Sequence, residues 1–474
     1  MPICVTCGHE LPASFFSGDS QQCPGCRTMY AQAAAAQTST QAVAYRPPVT
    51  TALMGINVGV FVLMVLSGVS FFSPSVSDLL KWGANNGALS LGAQPWRMLT
   101  STYVHGGILH IALNMWCLWN LGKLAERIFD RWTYALVYTA CGIGGSIASL
   151  WWHPTVVGVG ASGAIFGLAG ALIAALYLGK LPVPKRAMQG TLRSLVMFAI
   201  YNILFGTAVP GIDNSAHVGG LITGLVVGAA LAPHLTSSLD VRHAWRNWVL
   251  IGAALVLSGA FVAVKKAKGY VTPLQSASEA FDRGEYDQAI VSLQDVVKRA
   301  PDNASAHAMM GASYLQKKDF VHAEQSLKRA LELKPRYTFA EYWLGVLYES
   351  MDRHEEARKV LSDLVEQQPK LGGGLVLLGY VLEQEHRSGE AIEMYRRAVE
   401  ADPKDPDAQR RWGNALLKLD RAAEALPHLE EAQKLDPKDA DTELSLGKAY
   451  AALGRNEEAG NAFKAAKELS SSGN

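Results

Sequence analysis

Three groups of residues in this sequence have the types and spacing to do chemistry. A serine stands in Gly160-Ala161-Ser162-Gly163, opening a long apolar run, and an imidazole stands at His217 inside another. A hydroxyl beside an imidazole is the minimum for nucleophilic attack on a carbonyl, the imidazole taking the proton as base. The second group is His105, His110 and Asn114, at the start of a third apolar run; His110 and Asn114 are four apart and share a helix face. An amide and an imidazole aimed into one cavity can hydrogen-bond an oxyanion, and one such donor is worth about 3–4 kcal/mol of barrier. The third group is Cys4 with Cys7 and Cys23 with Cys26, two CxxC pairs separated by fifteen residues. Two such knuckles supply four thiolates to one tetrahedral zinc.

Each group has a plainer reading. A serine in a membrane run usually marks close helix packing. Here, however, Gly220, Gly224 and Gly228 line one face of the His217 run at four-residue spacing, and Gly163 and Gly167 stand in the same relation beside Ser162. Two glycine-faced helices can pack backbone to backbone, which brings the serine within reach of the histidine. A histidine inside lipid-spanning sequence is itself a functional signal. A metal site on His105, His110 and His217 competes, but His105 and His110 are five apart and no carboxylate or thiol joins them. The elbow of soluble serine hydrolases does not fit, because it needs glycine where Ala164 stands. For the cysteines, a redox dithiol or two disulfides compete with zinc; short paired knuckles suit metal better, and four thiolates leave no open catalytic position. A head of about thirty residues cannot bury a core of its own, so metal would contribute its folding energy directly.

The elements that carry these groups follow from composition. A chain of 474 residues is too long for one core. No Asp, Glu, Lys or Arg occurs from Trp132 to Gly179, whereas charge is dense beyond Tyr270, so a membrane half is joined to a soluble half. The formal net charge of +1 gives no reason to expect nucleic acid. Apolar runs near the bilayer-crossing length of about twenty residues predict seven helices, near 51–71, 106–125, 132–151, 161–179, 192–209, 215–232 and 246–264. Residues 72–104, with Trp82, Trp96 and Arg97, read as an amphipathic interfacial segment. No cleavable leader is visible ahead of the first run, and residues 31–50 read as a linker closed by Pro47-Pro48.

Arg27, Arg46, Lys123, Arg127, Arg131, Lys180, Lys185, Arg186, Arg193, Arg242 and Arg246 all fall on one side of this arrangement, which makes that side and the cysteine head cytoplasmic. Seven spans then send the C-terminal half to the exterior, against the pull of Lys265, Lys266 and Lys268. Beyond Pro273 the sequence repeats every 34 residues, in Pro301 to Pro437, Gly311 to Gly447 and Ala289 to Ala459. That period is the one of tetratricopeptide repeats, helix pairs stacked into a solenoid whose concave face takes peptides or proteins. Tyr314, Tyr348, Tyr380 and Tyr450 are assigned to one large position of the repeat, and a rigid spacer without ligand is the alternative role.

At this point the residues resemble the rhomboid intramembrane serine proteases, over roughly Thr51 to Pro233. The resemblance lies in Trp96-Arg97, in His110 followed by Asn114, in Gly160-Ala161-Ser162-Gly163, and in Ala216-His217-x-x-Gly220-x-x-x-Gly224, in the family's order. It implies a six-helix core with a water-filled cavity, Ser162 as nucleophile and His217 as general base without an acidic third member. It further implies an oxyanion hole of His110, Asn114 and the backbone N–H of Ser162. Phe166 stands where the family often has a tyrosine under the imidazole, and Glu126 matches a structural glutamate. Trp96, Arg97, His105, Gly160, Gly163, Gly220 and Gly224 complete the motif set.

The expected fold is therefore all-α: a polytopic membrane bundle with a zinc-ribbon-like head (1–30), a linker (31–50), the protease core (51–235), an added span (236–270) and a tetratricopeptide solenoid (271–474). The expected function is cleavage of membrane proteins within or beside their spans, in the plasma membrane. Catalysis needs no cofactor, zinc sits at Cys4, Cys7, Cys23 and Cys26, and the repeats recruit protein partners. The competing expectation is an idle membrane adaptor that hands repeat-bound clients to another protease.

Overall fold

The structure is a computed structural model, and it describes residues 2–12, 14, 21–29, 47–182, 185–209 and 211–472. Most of the predicted linker lies outside the described residues. The described elements are helical, with a single isolated bridge between Ile3 and Glu10 in the head. The chain forms two compact units, one of Met1–Ala84, Met98–Ser149 and Gly158–Leu257, the other of Asn85–Arg97, Leu150–Val157 and Ser258–Asn474.

Helices form at all seven runs predicted as spans. We number them α1 (Pro48–Leu66), α2 (Ile108–Ile128), α3 (Arg131–Trp152), α4 (Ser162–Leu178), α5 (Lys185–Ala208), α6 (Asn214–Leu231) and α7 (Leu239–Lys268). Five of them, α1, α3, α5, α6 and α7, are long and apolar enough to cross a membrane. Helix α4 is apolar over 17 residues, and, among the described residues, the predicted span at α2, interrupted by His110, Asn114, Asn120 and Lys123, falls short of the apolarity needed to cross. Helix α1 ends at Leu66 rather than near 71 because the Ser67 hydroxyl donates back to Met64 O and Gly68 turns left-handed at φ +94°. Its start is held from outside. Pro47 offers no side-chain cap, and the carboxylate of Glu126 on α2 accepts from Val49 N, Thr50 N and Thr50 Oγ1 at 2.9, 3.1 and 2.9 Å. First-turn N–H groups that a helix cannot satisfy itself are thereby paired within the bundle. Between α1 and α2 the segment predicted as amphipathic folds into short helices at Val76–Lys81, Gly87–Ser90 and Arg97–Thr100.

The core centres on α4, whose Ala164, Ile165, Leu168, Ala169, Leu172 and Ala175 are buried. Its most extensive neighbour is α6. A Cβ added at Gly220 or Gly224 would fall 1.9 Å from the carbonyl oxygen of Gly163 or Gly167, and one at Gly228 would fall 2.6 Å from Ala171. The predicted glycine faces do meet, backbone against backbone, as small residues allow between membrane helices.

In the second unit the 34-residue period becomes twelve helices in six pairs, α8 (Val271–Asp282) to α19 (Asn456–Ser472). Pro301, Pro335, Pro369, Pro403 and Pro437 each lie two residues beyond the end of the second helix of a pair. A Cβ at Gly311, Gly345, Gly379, Gly413 or Gly447 would strike the partner helix at 2.5–2.6 Å, on Leu327, Leu361, Tyr395, Leu429 and Phe463. One tyrosine assignment fails. Position 382 of the period is a buried leucine, and Tyr380 sits two residues earlier with the Arg411 guanidinium 5.2 Å from its ring centre. The period also appears in the backbone: Gly284, Lys318, Asp352, His386, Asp420 and Gly454, one per pair, are left-handed with φ between 57° and 75°. Four of those six are not glycine, so composition alone hides the turn.

Candidate active site

Ser162 is the first residue of α4, half-buried, and its own backbone N–H lies in the first turn, where a helix supplies no acceptor. The chain reaches it through Gly160, which is left-handed at φ +109° and donates its N–H to Ser101 O at 2.9 Å. Only glycine fits there for a second reason. A Cβ at Gly160 would stand 2.7 Å from both Cε1 and Nε2 of His110 and 3.5 Å from Nδ2 of Asn114. The two polar side chains of α2 therefore converge on the turn two residues before the serine.

The tautomer of His110 follows from its other nitrogen. Nδ1 accepts from the backbone N–H of Gly106 at 3.2 Å, so the ring proton belongs on Nε2, the atom facing Gly160. Asn114, also buried, anchors its amide by donating from Nδ2 to His110 O at 3.1 Å. His105 packs edge-on against His110, with ring centres 5.2 Å apart, and is oriented by Tyr103 O at 3.2 Å.

His217 lies in the first turn of α6, whose N-terminus is capped by Asp213: that carboxylate accepts from the N–H of Ser215 and of Ala216 at 3.0 and 3.1 Å. The imidazole is 8% exposed, and its Nδ1 has no hydrogen-bond partner. Its plane is fixed by Phe166, stacked at 4.2 Å with 7° between the rings. Phe166 is one helical turn after Ser162, so the imidazole lies against the α4 face that carries the hydroxyl. The backbones are equally close, with Ala216 O 3.3 Å from where a Cβ on Gly163 would be. Phe166 also meets Phe198 of α5, with ring centres 5.5 Å apart.

The structure thus gathers Ser162, His217, His110, Asn114, His105, Gly160, Gly163, Phe166, Gly220 and Gly224 in one region. Three predicted residues belong elsewhere. Glu126 caps α1 at the other end of α2, and Trp96 and Arg97 fall in the second unit, where the guanidinium lies 4.8 Å from the indole centre and donates to Gln94 Oε1 at 2.6 Å. Sequence reading missed the contribution of Gly106 to the His110 tautomer and of Asp213 to the cap of α6. An aspartate just before a helix was a legible signal for the second; nothing in the sequence marked the first.

In the head, the sulfur atoms of Cys4, Cys7, Cys23 and Cys26 all lie within 4.8 Å of one another, and those of Cys7 and Cys23 are 3.9 Å apart. A tetrahedral ion with bonds of about 2.3 Å requires sulfur–sulfur edges of roughly 3.8 Å, so the set can close on zinc with small adjustments. The Cys23 N–H donates to Cys4 Sγ at 3.2 Å and, as the leading influence, lowers that thiol to about 6, toward the thiolate a metal needs. Among the described residues this is the one group of three or more His, Cys, Asp or Glu side chains that could hold a metal, so the three-histidine alternative finds no support.

Comparison with known proteins agrees with this architecture. The Rhomboid domain family matches residues 92–234, and tetratricopeptide repeat families match 274–338, 314–371, 372–414 and 410–474. The chain is 30% identical over 308 residues to "Rhomboid protease GluP" of Bacillus subtilis (strain 168), covering 63% of this chain and 58% of that protein. It is 36% identical over 145 residues to "RHOMBOID-like protein 4" of Arabidopsis thaliana, covering 30% of this chain and 36% of the other. It is 31% identical over 212 residues to "Rhomboid protease AarA" of Providencia stuartii, covering 39% of this chain and 73% of AarA. The chain therefore spans only part of the length of the first two relatives.

Proposed function

Since the chain belongs to the rhomboid family, we propose that it is an intramembrane serine endopeptidase in which Ser162 is the nucleophile and His217 its general base. The observation that carries this reading is the convergence on one turn: His110 Nε2 and Asn114 Nδ2 face Gly160, and the His217 ring is stacked one helical turn from the hydroxyl. In the reaction, Ser162 Oγ attacks the substrate carbonyl while His217 takes the hydroxyl proton. The oxyanion that forms is met by the Ser162 N–H, the Nε2–H of His110 and the Asn114 amide. His217 then returns its proton to the leaving amine; the same imidazole next takes a proton from a water molecule that attacks the acyl carbon, and gives it to Ser162 Oγ as the C–O bond to the serine breaks. Phe166 holds the ring plane, the role that an aspartate plays in a Ser-His-Asp triad.

Peptide bonds in a lipid-spanning helix are shielded by their own hydrogen bonds. Substrates are therefore membrane proteins with a helix-weakening stretch near the membrane boundary, where a strand can bend into the site. The metal-bound head lies in the cytoplasm and acts as a small folded module, the chain resides in the plasma membrane, and the repeat array (271–474) stands outside and recruits protein partners or substrates.

A serine-reactive fluorophosphonate probe tests the assignment on the full-length chain in detergent. The wild type is expected to be labelled and to cleave a model membrane substrate, and Ser162→Ala and His217→Ala are expected to do neither. Cleavage by both variants at the wild-type rate overturns the mechanism. A folded wild type that is neither labelled nor active favours the adaptor, a scaffold that presents repeat-bound clients to another protease.

A further inference from the structure

We propose that the cavity at the opposite end of α4 from Ser162 binds an anionic phospholipid. A cavity of about 620 Å³ opens among the ends of α2 and α4, the start of α5 and the start of α7. That volume falls in the range of about 300–1,000 Å³ used for small-molecule sites. Its Leu176 is fourteen residues beyond Ser162, about 21 Å along the helix, so the cavity is separate from the hydrolytic site.

The lining is amphipathic. Its buried members, Phe129, Leu176 and Leu235, are apolar, while Arg127, Arg242 and Thr236 are exposed or half-buried. The one carboxylate present, Asp130, is already committed. It accepts from the N–H groups of Trp132 and Thr133 at 3.1 Å each and pairs with Arg246 at 3.3 Å. Arg242 has no carboxylate partner among the described residues, so the cavity keeps an excess of positive charge. An apolar floor beneath a cationic rim complements one kind of molecule, an acyl chain carrying a phosphate. Lys123, Lys180 and Arg186 gather at the same end, the pattern of a cytoplasmic surface, where anionic lipids concentrate. Such a lipid would also fill space beside α5, whose apolar window is only 17% buried within the protein.

The proposal depends on the membrane setting and not on hydrolysis, and Ser162 probe labelling remains a separate readout. The full-length chain is reconstituted in phosphatidylcholine nanodiscs with increasing phosphatidylglycerol, and retained lipid is counted by native mass spectrometry. The expected result is selective retention of phosphatidylglycerol. The double variant Arg127→Gln, Arg242→Gln should weaken it roughly thirty-fold, from the attraction typical of two basic side chains near a membrane surface. Thr191→Trp keeps both charges, fills the cavity and should displace the lipid by occupying its space. Equal retention of the two lipids by the wild type overturns the proposal, as does wild-type retention by both variants. Displacement by millimolar glycerol 3-phosphate would also overturn it, since the site would then take a soluble anion.

Discussion

Replacing Gly224 by alanine tests whether the seam between α4 and α6 sets the geometry of the site. The new Cβ would stand 1.9 Å from Gly167 O and 2.8 Å from Gly167 Cα, against an ordinary contact distance that begins at 3.4 Å. Backbone lies on both sides, so no rotamer change relieves the clash and the helices must part locally by about 1.5 Å. Overpacking of this kind costs about 1–3 kcal/mol, and movement of backbone puts this case near the upper end. Phe166 precedes Gly167 and is stacked on His217, so the same displacement separates the serine face of α4 from the imidazole. Misplacement of reacting groups by about 1 Å costs on the order of 100-fold in rate. Gly224→Ala should therefore lose about two orders of magnitude in cleavage of a membrane substrate in liposomes and unfold at lower temperature. Gly252→Ala on α7, where nothing lies within 4 Å, is the matched control and should retain wild-type activity. Cleavage by Gly224→Ala within twofold of wild type would refute the seam as the element that positions the pair.

Two further outcomes are expected. Phe166→Leu removes the ring stacked at 4.2 Å on His217, and an aromatic pair is worth about 0.5–1.5 kcal/mol, so kcat should fall roughly three- to tenfold with KM little changed, while Phe166→Tyr keeps the stack and the rate; equal kcat for the leucine variant removes the positioning role. The purified chain should carry one zinc by elemental analysis, and a chelator or Cys4→Ser should expose residues before Val49 to trypsin while the helical signal of the repeats persists; an unchanged digestion pattern after metal removal would show that the head does not fold around metal.

The glycine seam and the repeat period were legible because each follows from periodicity. Gly163 and Gly167, Gly220 and Gly224 recur at four-residue spacing, and that spacing fixes a helix face whatever surrounds it. What stayed hidden depends on contacts between distant segments. Glu126 was recognisable as a motif residue, but its work, capping the start of α1 from 76 residues away, needs the packed bundle. The His110 tautomer likewise depends on a backbone N–H at Gly106, and a backbone group has no side-chain signature. Tyr380 shows the opposite error, a residue type matched to the repeat without its register, when leucine holds the position two residues on. Helix ends were displaced for local reasons, as at Ser67 and Gly68, which stop α1 five residues early.

The protease and adaptor readings make different demands on the same atoms. A scaffold needs α4 and α6 to pack, and the glycines achieve that without help. It has no use for a left-handed turn at Gly160, for His110 with its Nε2 turned toward that turn, or for a buried imidazole at His217 whose Nδ1 lacks a partner. The proposed hydrolysis would give each of these features a task. On the proposed mechanism, glycine at 160 lets the His110 and Asn114 side chains close on the turn ahead of Ser162, and an imidazole not locked to an acid can accept a proton and return it. On the proposed reading, the turn at Gly160, the orientation of His110 and the stacked imidazole of His217 each have a task that a scaffold would not require, and that is the physical argument for preferring the protease over the adaptor.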